Sequence, residues 1–220
     1  MRNSAWAVDL AGLAGDERVL DLGCGNGLHL AELARREHQG PLVGADLSRG
    51  MLSSAAERSN ASLLIADAQQ LPFAVDAFDC VLAMHMLYHV PDRDLALSEI
   101  RRVLRPGGVM LAVTNSHRHL EELNDMFGLT RAYLTFSSES GGADLERHFA
   151  AVERHDVRRE LVVTEVEPVV AYVASMGSVT GFANSVASPV LQDVERRVRA
   201  EIESKGAFRI RTDVGCFVAH

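Results

Sequence analysis

Val-Leu-Asp-Leu-Gly-Cys-Gly-Asn-Gly, residues 19–27, is the stretch that decides the fold. A short apolar strand leads into a turn of alternating glycines, and a helical pattern follows over residues 28–37. Glycines tolerate positive φ and let a ligand lie against bare backbone, while the first turn of a helix offers unpaired N–H groups to an anionic group. Strand, glycine turn and helix together predict a nucleotide-binding corner of an α/β sheet.

The glycine spacing and the acid before it bear on which nucleotide binds. Asp21 stands at the strand end, and the dinucleotide fingerprint G-x-G-x-x-G would need a glycine where the chain has Leu28. A carboxylate beside a pyrophosphate would cost on the order of a kcal/mol even at surface-like dielectric. S-adenosylmethionine (SAM) carries an ammonium, a sulfonium and a carboxylate but no phosphate. The pattern therefore favours SAM, and an NAD-linked oxidoreductase stays as a less favoured alternative.

Length, charge and cysteine content limit the class of protein. With 220 residues, 47% of them hydrophobic, the chain can bury one sizeable core, so we expect a single domain over residues 1–220. The formal net charge of −8 argues against a nucleic-acid partner. Cys24, Cys80 and Cys216 are odd in number and far apart, which predicts unpaired thiols in a reducing compartment. The sequence has no apolar run of roughly 20 residues and no secretory segment, so we expect a cytoplasmic protein without a membrane partner.

Apolar runs alternate with helical patterns along the chain, which predicts βαβ units and a mainly parallel sheet. The predicted strands cover residues 18–21, 42–46, 62–66, 79–84, 108–114, 152–161 and 214–219. Helices are predicted over residues 28–37, 49–59, 92–104, 119–128, 144–151, 164–175 and 191–204. Open α/β sheets bind ligands at the carboxyl edge of their strands, so polar residues just after the strands are site candidates. Residues 115–151 are predicted to form a variable insertion that covers this edge and carries specificity.

Two further acids follow the second and third predicted strands. Asp46 lies 19 positions after Gly27, where a carboxylate can accept both ribose hydroxyls, although this feature alone does not separate NAD from SAM. Asp67 could accept from an adenine amino group. The residues expected to close on the faces of the ring are Leu47, Met51, Ala68 and Leu71. Ordinary helix packing is an equal alternative for Met51.

Three downstream segments complete the pattern in order. They read Ala-Val-Asp-Ala-Phe-Asp-Cys-Val at 74–81, Met-Leu-Tyr-His-Val at 86–90 and Glu-Ile-Arg-Arg-Val-Leu-Arg-Pro-Gly-Gly at 99–108. With these segments the chain resembles the class I SAM-dependent methyltransferases of the type 11 group, which includes ubiquinone and menaquinone biosynthetic enzymes. The resemblance is strong over residues 18–113. It implies a Rossmann-like, seven-stranded, mostly parallel sheet with helices on both faces and an antiparallel last strand.

The resemblance also implies a cofactor cradle. Its residues are Asp21, Gly23, Cys24, Gly25 and Gly27 around the methionine moiety, Asp46 at the ribose, Asp67 and Ala68 at the adenine, and Met84, whose carbonyl would receive the ammonium group. For the Cys24 side chain, packing without a redox role is the favoured interpretation.

Methyl transfer is an in-line displacement, so a general base is needed only where the acceptor must lose a proton. His85 and His89 follow the fourth predicted strand and are the candidates for catalysis, with helix packing as the alternative for His89. The candidates for substrate contact are Trp6, Tyr88, His117 and His119. Trp6 could equally pack on the sheet, and the last two histidines could be solvated loop residues.

Missing motifs narrow the reaction. Catechol-type relatives bind magnesium with acids after the fourth and fifth strands, where this chain has Ala-Met-His at 83–85 and Thr-Asn-Ser at 114–116, so no metal is expected. The N/D-P-P-Y and Pro-Cys signatures of other methyltransferases are missing too. These features predict metal-independent methyl transfer to an oxygen or nitrogen, less favourably a carbon, of a small metabolite in a biosynthetic pathway, with S-adenosylhomocysteine as product.

Only about 17 residues precede the first predicted strand, fewer than relatives often carry before theirs. Trp6 could supply part of the lid over the acceptor pocket, or the pocket could be closed by the insertion at 115–151 or by a second subunit of a homodimer. The same feature leaves open a SAM-binding regulatory or partner protein without turnover.

Overall fold

A computed structural model of the protein describes residues 5–127, 134–176 and 188–220. The strands are β1 Val19–Leu22, β2 Leu42–Asp46, β3 Ser62–Ile65, β4 Phe78–Met84, β5 Leu104–Asn115, β6 Val152–Val163 and β7 Phe208–Ala219. The helices are α1 Ala5–Leu10, α2 Leu28–Arg35, α3 Arg49–Ala56, α4 Arg93–Val103, α5 Glu121–Phe127, α6 Gly141–Leu145, α7 Glu167–Met176 and α8 Ser188–Lys205, and a short 3-10 helix covers Leu87–His89.

The described strands form one seven-stranded sheet in the order β3-β2-β1-β4-β5-β7-β6. The pairs from β3 through β5 are parallel, and β7 runs antiparallel to β5. The predicted fold class is therefore confirmed, including the reversed last strand. Because β1 to β5 are parallel, their carboxyl ends meet at one edge, to which Asp21, Asp46 and Met84 belong.

Side chains of β4 show how the sheet is buried on both faces. Val81 and Ala83 join one apolar cluster with Leu97 and Ile100 of α4. Leu82, between them in sequence, belongs to a second cluster, which includes α1. Successive side chains of a strand point to opposite faces, so this alternation places helices on both sides of a central strand.

The chain divides into two compact units. The first contains the described residues of Met1–His117, Tyr133–Asp156 and Val214–His220, and the second those of Arg118–Ala132 and Val157–Asp213. The second unit has its own buried apolar cluster, with members on α5, α7, α8 and β7. The predicted insertion at 115–151 is thus divided between the units, and Phe136, Leu145 and Phe149 pack in the core of the first. The single-domain assignment and the covering role of the insertion stay predictions.

Several boundaries differ from those predicted. The predicted turn at 105–108 lies inside β5, because Phe78 already pairs with Leu104 before the register shifts. The last strand begins at Phe208 rather than at residue 214. Among the helices of the described ranges, none is both long and apolar enough to cross a bilayer.

Candidate functional site

The glycine loop between β1 and α2, residues 23–27, is hydrogen-bonded to the end of β2. The backbone N–H groups of Gly23 and Cys24 donate to the Ala45 carbonyl, at 2.8 and 3.1 Å. A Cβ on Gly23 would lie 2.7 Å from the Met86 Cβ, whereas a Cβ on Gly25 would meet nothing within 4 Å. Both glycines have positive φ, 67° and 54°. Gly23 therefore allows a close approach of two chain segments, and Gly25 presents bare backbone to open space.

Asp46 joins this loop to the start of α3. Its Oδ2 atom accepts from the Gly25 N–H at 2.9 Å, and its Oδ1 atom accepts from the Ser48 N–H at 2.8 Å. Each carboxylate oxygen has a further lone pair, so both could also accept from a pair of hydroxyl groups. The Ser48 hydroxyl caps α3 by accepting from the Met51 N–H. The carboxylate is consequently held in place before any ligand binds.

Asp21 is the most unusual polar group at this edge. Its side chain is completely buried, and neither carboxylate oxygen has a hydrogen-bond partner in the described part of the chain. The nearest basic group is the His29 Nδ1 atom, 3.6 Å from Asp21 Oδ2. A buried carboxylate without partners is costly, so this geometry fits a site that receives a cationic group.

His29 was not among the predicted site residues. It lies in the first turn of α2, directly after the glycine loop. His29 lies close to Asp21 because of the way α2 is oriented against β1. A single histidine in a helical pattern does not reveal that orientation in the sequence.

Asp67 follows β3 and is held by a residue that the sequence also did not single out. Its oxygens accept from the Gln69 backbone N–H at 2.9 Å and from the Gln69 side-chain amide at 3.0 and 3.1 Å. These hydrogen bonds lower the pKa of Asp67. The side-chain Oε1 atom of Gln69 accepts in turn from the Asp92 backbone N–H at 3.1 Å, so Gln69 connects this acid to the start of α4.

The apolar residues expected around the adenine fall into two groups. Leu47 is 67% exposed and Met51 is 49% exposed, which leaves both side chains available to a flat ring. Ala68 and Leu71, by contrast, are buried in the first apolar cluster, the one that contains Val81 and Ala83 of β4. The side chains of Ala68 and Leu71 therefore pack in the core, and Ala68 could contact the adenine only through its backbone.

The end of β4 brings Met84 and His85 to the same edge. The Met84 side chain is buried in the second apolar cluster. His85 has φ 57°, a left-handed conformation that is costly for a residue other than glycine, and its N–H donates to the Val113 carbonyl at 2.8 Å. Burial, with His29 close by, lowers the pKa of His85 to about 4. The imidazole is therefore neutral at physiological pH.

Tyr88 and His89 lie in the 3-10 helix that follows. Their rings are 4.4 Å apart between centroids. Partial burial lowers the pKa of His89, so this imidazole is also neutral near pH 7.

The remaining predicted substrate residues lie in different surroundings. Trp6 packs against the second apolar cluster, as in the packing alternative stated for it. The His117 N–H donates to the Glu139 carboxylate. Burial alone would raise the pKa of Glu139, but hydrogen bonds from Ser116, His117 and Ser137 lower it to about 2. His119 belongs to the second unit, where its Nδ1 atom accepts from the Asp213 N–H at 3.1 Å.

The three cysteines are free and buried. Cys24 packs with Leu30 and Leu52, and burial together with the Asp21 and Asp46 carboxylates raises its pKa to about 12. Its thiol is thus neutral and faces a packed cluster, which supports the packing interpretation. Over the described ranges, no group of three or more His, Cys, Asp or Glu side chains is arranged to hold a metal ion.

Comparison with known proteins gives a consistent picture. Residues 20–112 match the family model described as a methyltransferase domain. The chain is 43% identical over 98 residues to the methyltransferase GfsG of Streptomyces halstedii, covering 41% of this chain and 35% of that protein. It is 31% identical over 156 residues to the ubiquinone/menaquinone biosynthesis C-methyltransferase UbiE of Teredinibacter turnerae, covering 66% of this chain and 63% of that protein. The chain therefore spans less than two thirds of either curated relative.

Among solved structures, a candidate methyltransferase from Bacillus halodurans C-125 superposes with a TM-score of 0.70 at 20% identity. The superposition covers 100% of this chain and 98% of that chain. At this level of identity the likeness is evidence for the fold alone.

Proposed function

We propose that the protein transfers a methyl group from SAM to an oxygen or nitrogen atom of a small metabolite, a proposal supported by the match of residues 20–112 to the methyltransferase-domain family model. The observation that carries the proposal is the buried Asp21 carboxylate, whose oxygens have no hydrogen-bond partner in the described residues. It lies directly before a glycine loop that Asp46 holds in place. A cationic nucleoside without phosphate suits this combination better than a pyrophosphate does.

The residues present fit SAM along its whole length. Asp21 and the Met84 carbonyl would receive the ammonium group, Gly23, Gly25 and Gly27 would lie against the methionine moiety, and Asp46 would bind the ribose. Asp67, the Ala68 backbone and the exposed Leu47 and Met51 would surround the adenine. When bound, SAM supplies a methyl group on a sulfonium centre that is reactive toward nucleophiles.

The contribution of the protein is to orient the acceptor and to exclude water. Where the acceptor is a hydroxyl or an ammonium, its proton must leave, and the neutral imidazole of His85 is the first candidate to receive it. His89 is the second candidate, with Tyr88 beside it as a hydrogen-bond donor to the acceptor.

A carbon acceptor is the second candidate reaction. It is favoured by the similarity to the ubiquinone/menaquinone biosynthesis C-methyltransferase UbiE, of which the chain covers 63%. Carbon methylation needs an acceptor with an acidic or enolisable C–H, so it would use the same neutral base.

The proposal is tested by incubating the purified protein with methyl-¹³C SAM and a metabolite extract. The expected result is S-adenosylhomocysteine together with a product that gains one labelled methyl group, and the ¹³C chemical shift of that group separates O-, N- and C-methylation. EDTA in the assay should leave turnover unchanged, because we propose a metal-independent displacement.

Two outcomes would replace the proposal. Binding of SAM without S-adenosylhomocysteine formation from any acceptor would favour a regulatory or partner protein. Tighter binding of NADH than of SAM in calorimetry would favour an oxidoreductase. Cytoplasmic location, a homodimer and the lack of nucleic-acid and membrane partners stay predictions.

A further inference from the structure

The Asp21 carboxylate has a histidine beside it that the proposed function does not use. The His29 Nδ1 atom lies 3.6 Å from Asp21 Oδ2, just beyond hydrogen-bond distance. The exposed fractions of the two side chains are 12% for His29 and 0% for Asp21. In this position a small rotation of the imidazole would let Nδ1–H donate to the carboxylate.

Within the described residues, three buried side-chain atoms of this pair lack hydrogen bonds. The two Asp21 oxygens and the His29 Nε2 atom are buried without a hydrogen-bond partner in the described part of the chain. Buried polar atoms normally have partners, so three such atoms in one place indicate a site completed by something else. A ligand with a cationic N–H group could donate the missing hydrogen bonds to the Asp21 carboxylate.

The other titratable groups around the pair do not supply that cation. His85 faces His29 from the end of β4 and is neutral, because burial lowers its pKa to about 4. On α2 itself, Glu32 is engaged by Arg35 and Arg36. Besides these, burial together with the nearby Asp21 carboxylate raises the pKa of both the Cys24 and the Cys80 thiol, which are therefore neutral and supply no cation.

We propose that His29 is a positioning residue of the cofactor site, which holds the Asp21 carboxylate toward the ammonium group of SAM. This inference rests on the proposed function. In the complex the imidazole donates Nδ1–H to one carboxylate oxygen, and the ammonium takes the other.

The test measures binding of two nucleosides to the full chain by calorimetry. S-adenosylhomocysteine carries the ammonium group, and 5′-methylthioadenosine shares the adenosine and the sulfur but lacks it. His29→Leu should weaken S-adenosylhomocysteine binding about tenfold, the usual scale for a hydrogen bond to a charged group, and should leave methylthioadenosine binding within about twofold. His29→Asn, which keeps an N–H near the Nδ1 position, should retain S-adenosylhomocysteine binding within about threefold.

Rescue by the conservative variant supplies a readout that a merely structural role would not change. His29→Asn should keep the wild-type ratio of the affinities for S-adenosylhomocysteine and methylthioadenosine, and His29→Ala, a second variant without a side-chain N–H, should lose it. This comparison decides the question even if His29→Leu does not fold. His155→Asn, on β6, is the matched control and should behave as the wild type.

The outcomes are distinguishable from failure of the proposed function. If the wild type binds S-adenosylhomocysteine and neither His29→Leu nor His29→Ala changes its affinity, the positioning role is wrong. If His29→Leu weakened the binding of both nucleosides equally, the positioning role would also be wrong, because His29 would then support the shape of the loop in general. If the wild type binds neither nucleoside, the proposed function fails and this inference fails with it.

Discussion

The Gly25 N–H donates a hydrogen bond to Asp46 Oδ2 at 2.9 Å. This bond ties the loop after β1 to the last residue of β2. The shape of the glycine loop and the orientation of the proposed ribose-binding carboxylate therefore depend on each other. Substitutions at either residue should affect cofactor binding more than they affect the fold.

Asp46→Ala removes the acceptor for the Gly25 and Ser48 N–H groups as well as the proposed ribose contacts. We expect S-adenosylhomocysteine to bind about 10- to 100-fold more weakly, which corresponds to loss of hydrogen bonds to a charged group. Calorimetry measures the change. Asp16→Ala, an exposed acid ahead of β1, is the control and should bind normally. Unchanged affinity in Asp46→Ala would contradict the assignment of the ribose site.

Gly25→Ala and Gly12→Ala form a matched pair. Both glycines have positive φ, 54° and 60°, and a Cβ on either would meet nothing within 4 Å. Each substitution should therefore lower the free energy of unfolding by about 1–2 kcal/mol through backbone strain alone. Only Gly25→Ala should also weaken S-adenosylhomocysteine binding, because its Cβ would occupy the space proposed for the ligand. Denaturant unfolding and calorimetry on both variants test this, and equal binding by both would place the ligand elsewhere.

Gly23→Ala should be more destabilising than either of these, since its Cβ would lie 2.7 Å from the Met86 Cβ. Backbone strain and overpacking together predict a loss of about 2–4 kcal/mol in the free energy of unfolding. Met86→Gly in the same chain should recover part of this loss, whereas Met86→Ala should recover less because it keeps the Cβ. A double-mutant cycle measures the coupling. If the two substitutions at residue 86 had the same effect, close approach would not be the reason for the glycine.

His85 should make stability depend on pH. Its pKa is lowered from 6.5 to about 4 by burial, so between these values the unfolded chain binds a proton that the folded chain does not. Stability from this group is fully present above about pH 6.5 and is lost as the pH falls toward 4, by up to roughly 3 kcal/mol. Unfolding measured from pH 7 to pH 4 should show a shallower loss in His85→Gln than in the wild type. Parallel curves for the two proteins would be the contrary result.

Some of the site could be predicted because it follows from strand periodicity. Apolar runs ending in Asp21, Asp46 and Met84 predicted parallel strands whose carboxyl ends meet, and the sheet order confirms that arrangement. The roles assigned to these residues in binding SAM stay predictions.

The partners of those acids could not be predicted in the same way. His29 lies beside Asp21 because of how α2 packs on β1, and Gln69 holds Asp67 through a loop contact. Neither contact has a spacing or composition that would mark it in the sequence. The boundary of the second unit at residue 118 depends similarly on long-range packing, in which residues 157–213 complete its apolar cluster.

The sequence by itself determined the fold class, the order of strands and helices through residue 113, and which acids end the strands. These properties follow from local periodicity and from glycine and proline chemistry, which act over a few residues. Only the tertiary structure decided that the Asp21 carboxylate is buried without a hydrogen-bond partner among the described residues, that His29 lies beside it, and that Gly25 rather than Gly23 presents open backbone. Burial, close approach and charge pairing are set by segments far apart in the chain, so they exist only once the helices have packed on the sheet.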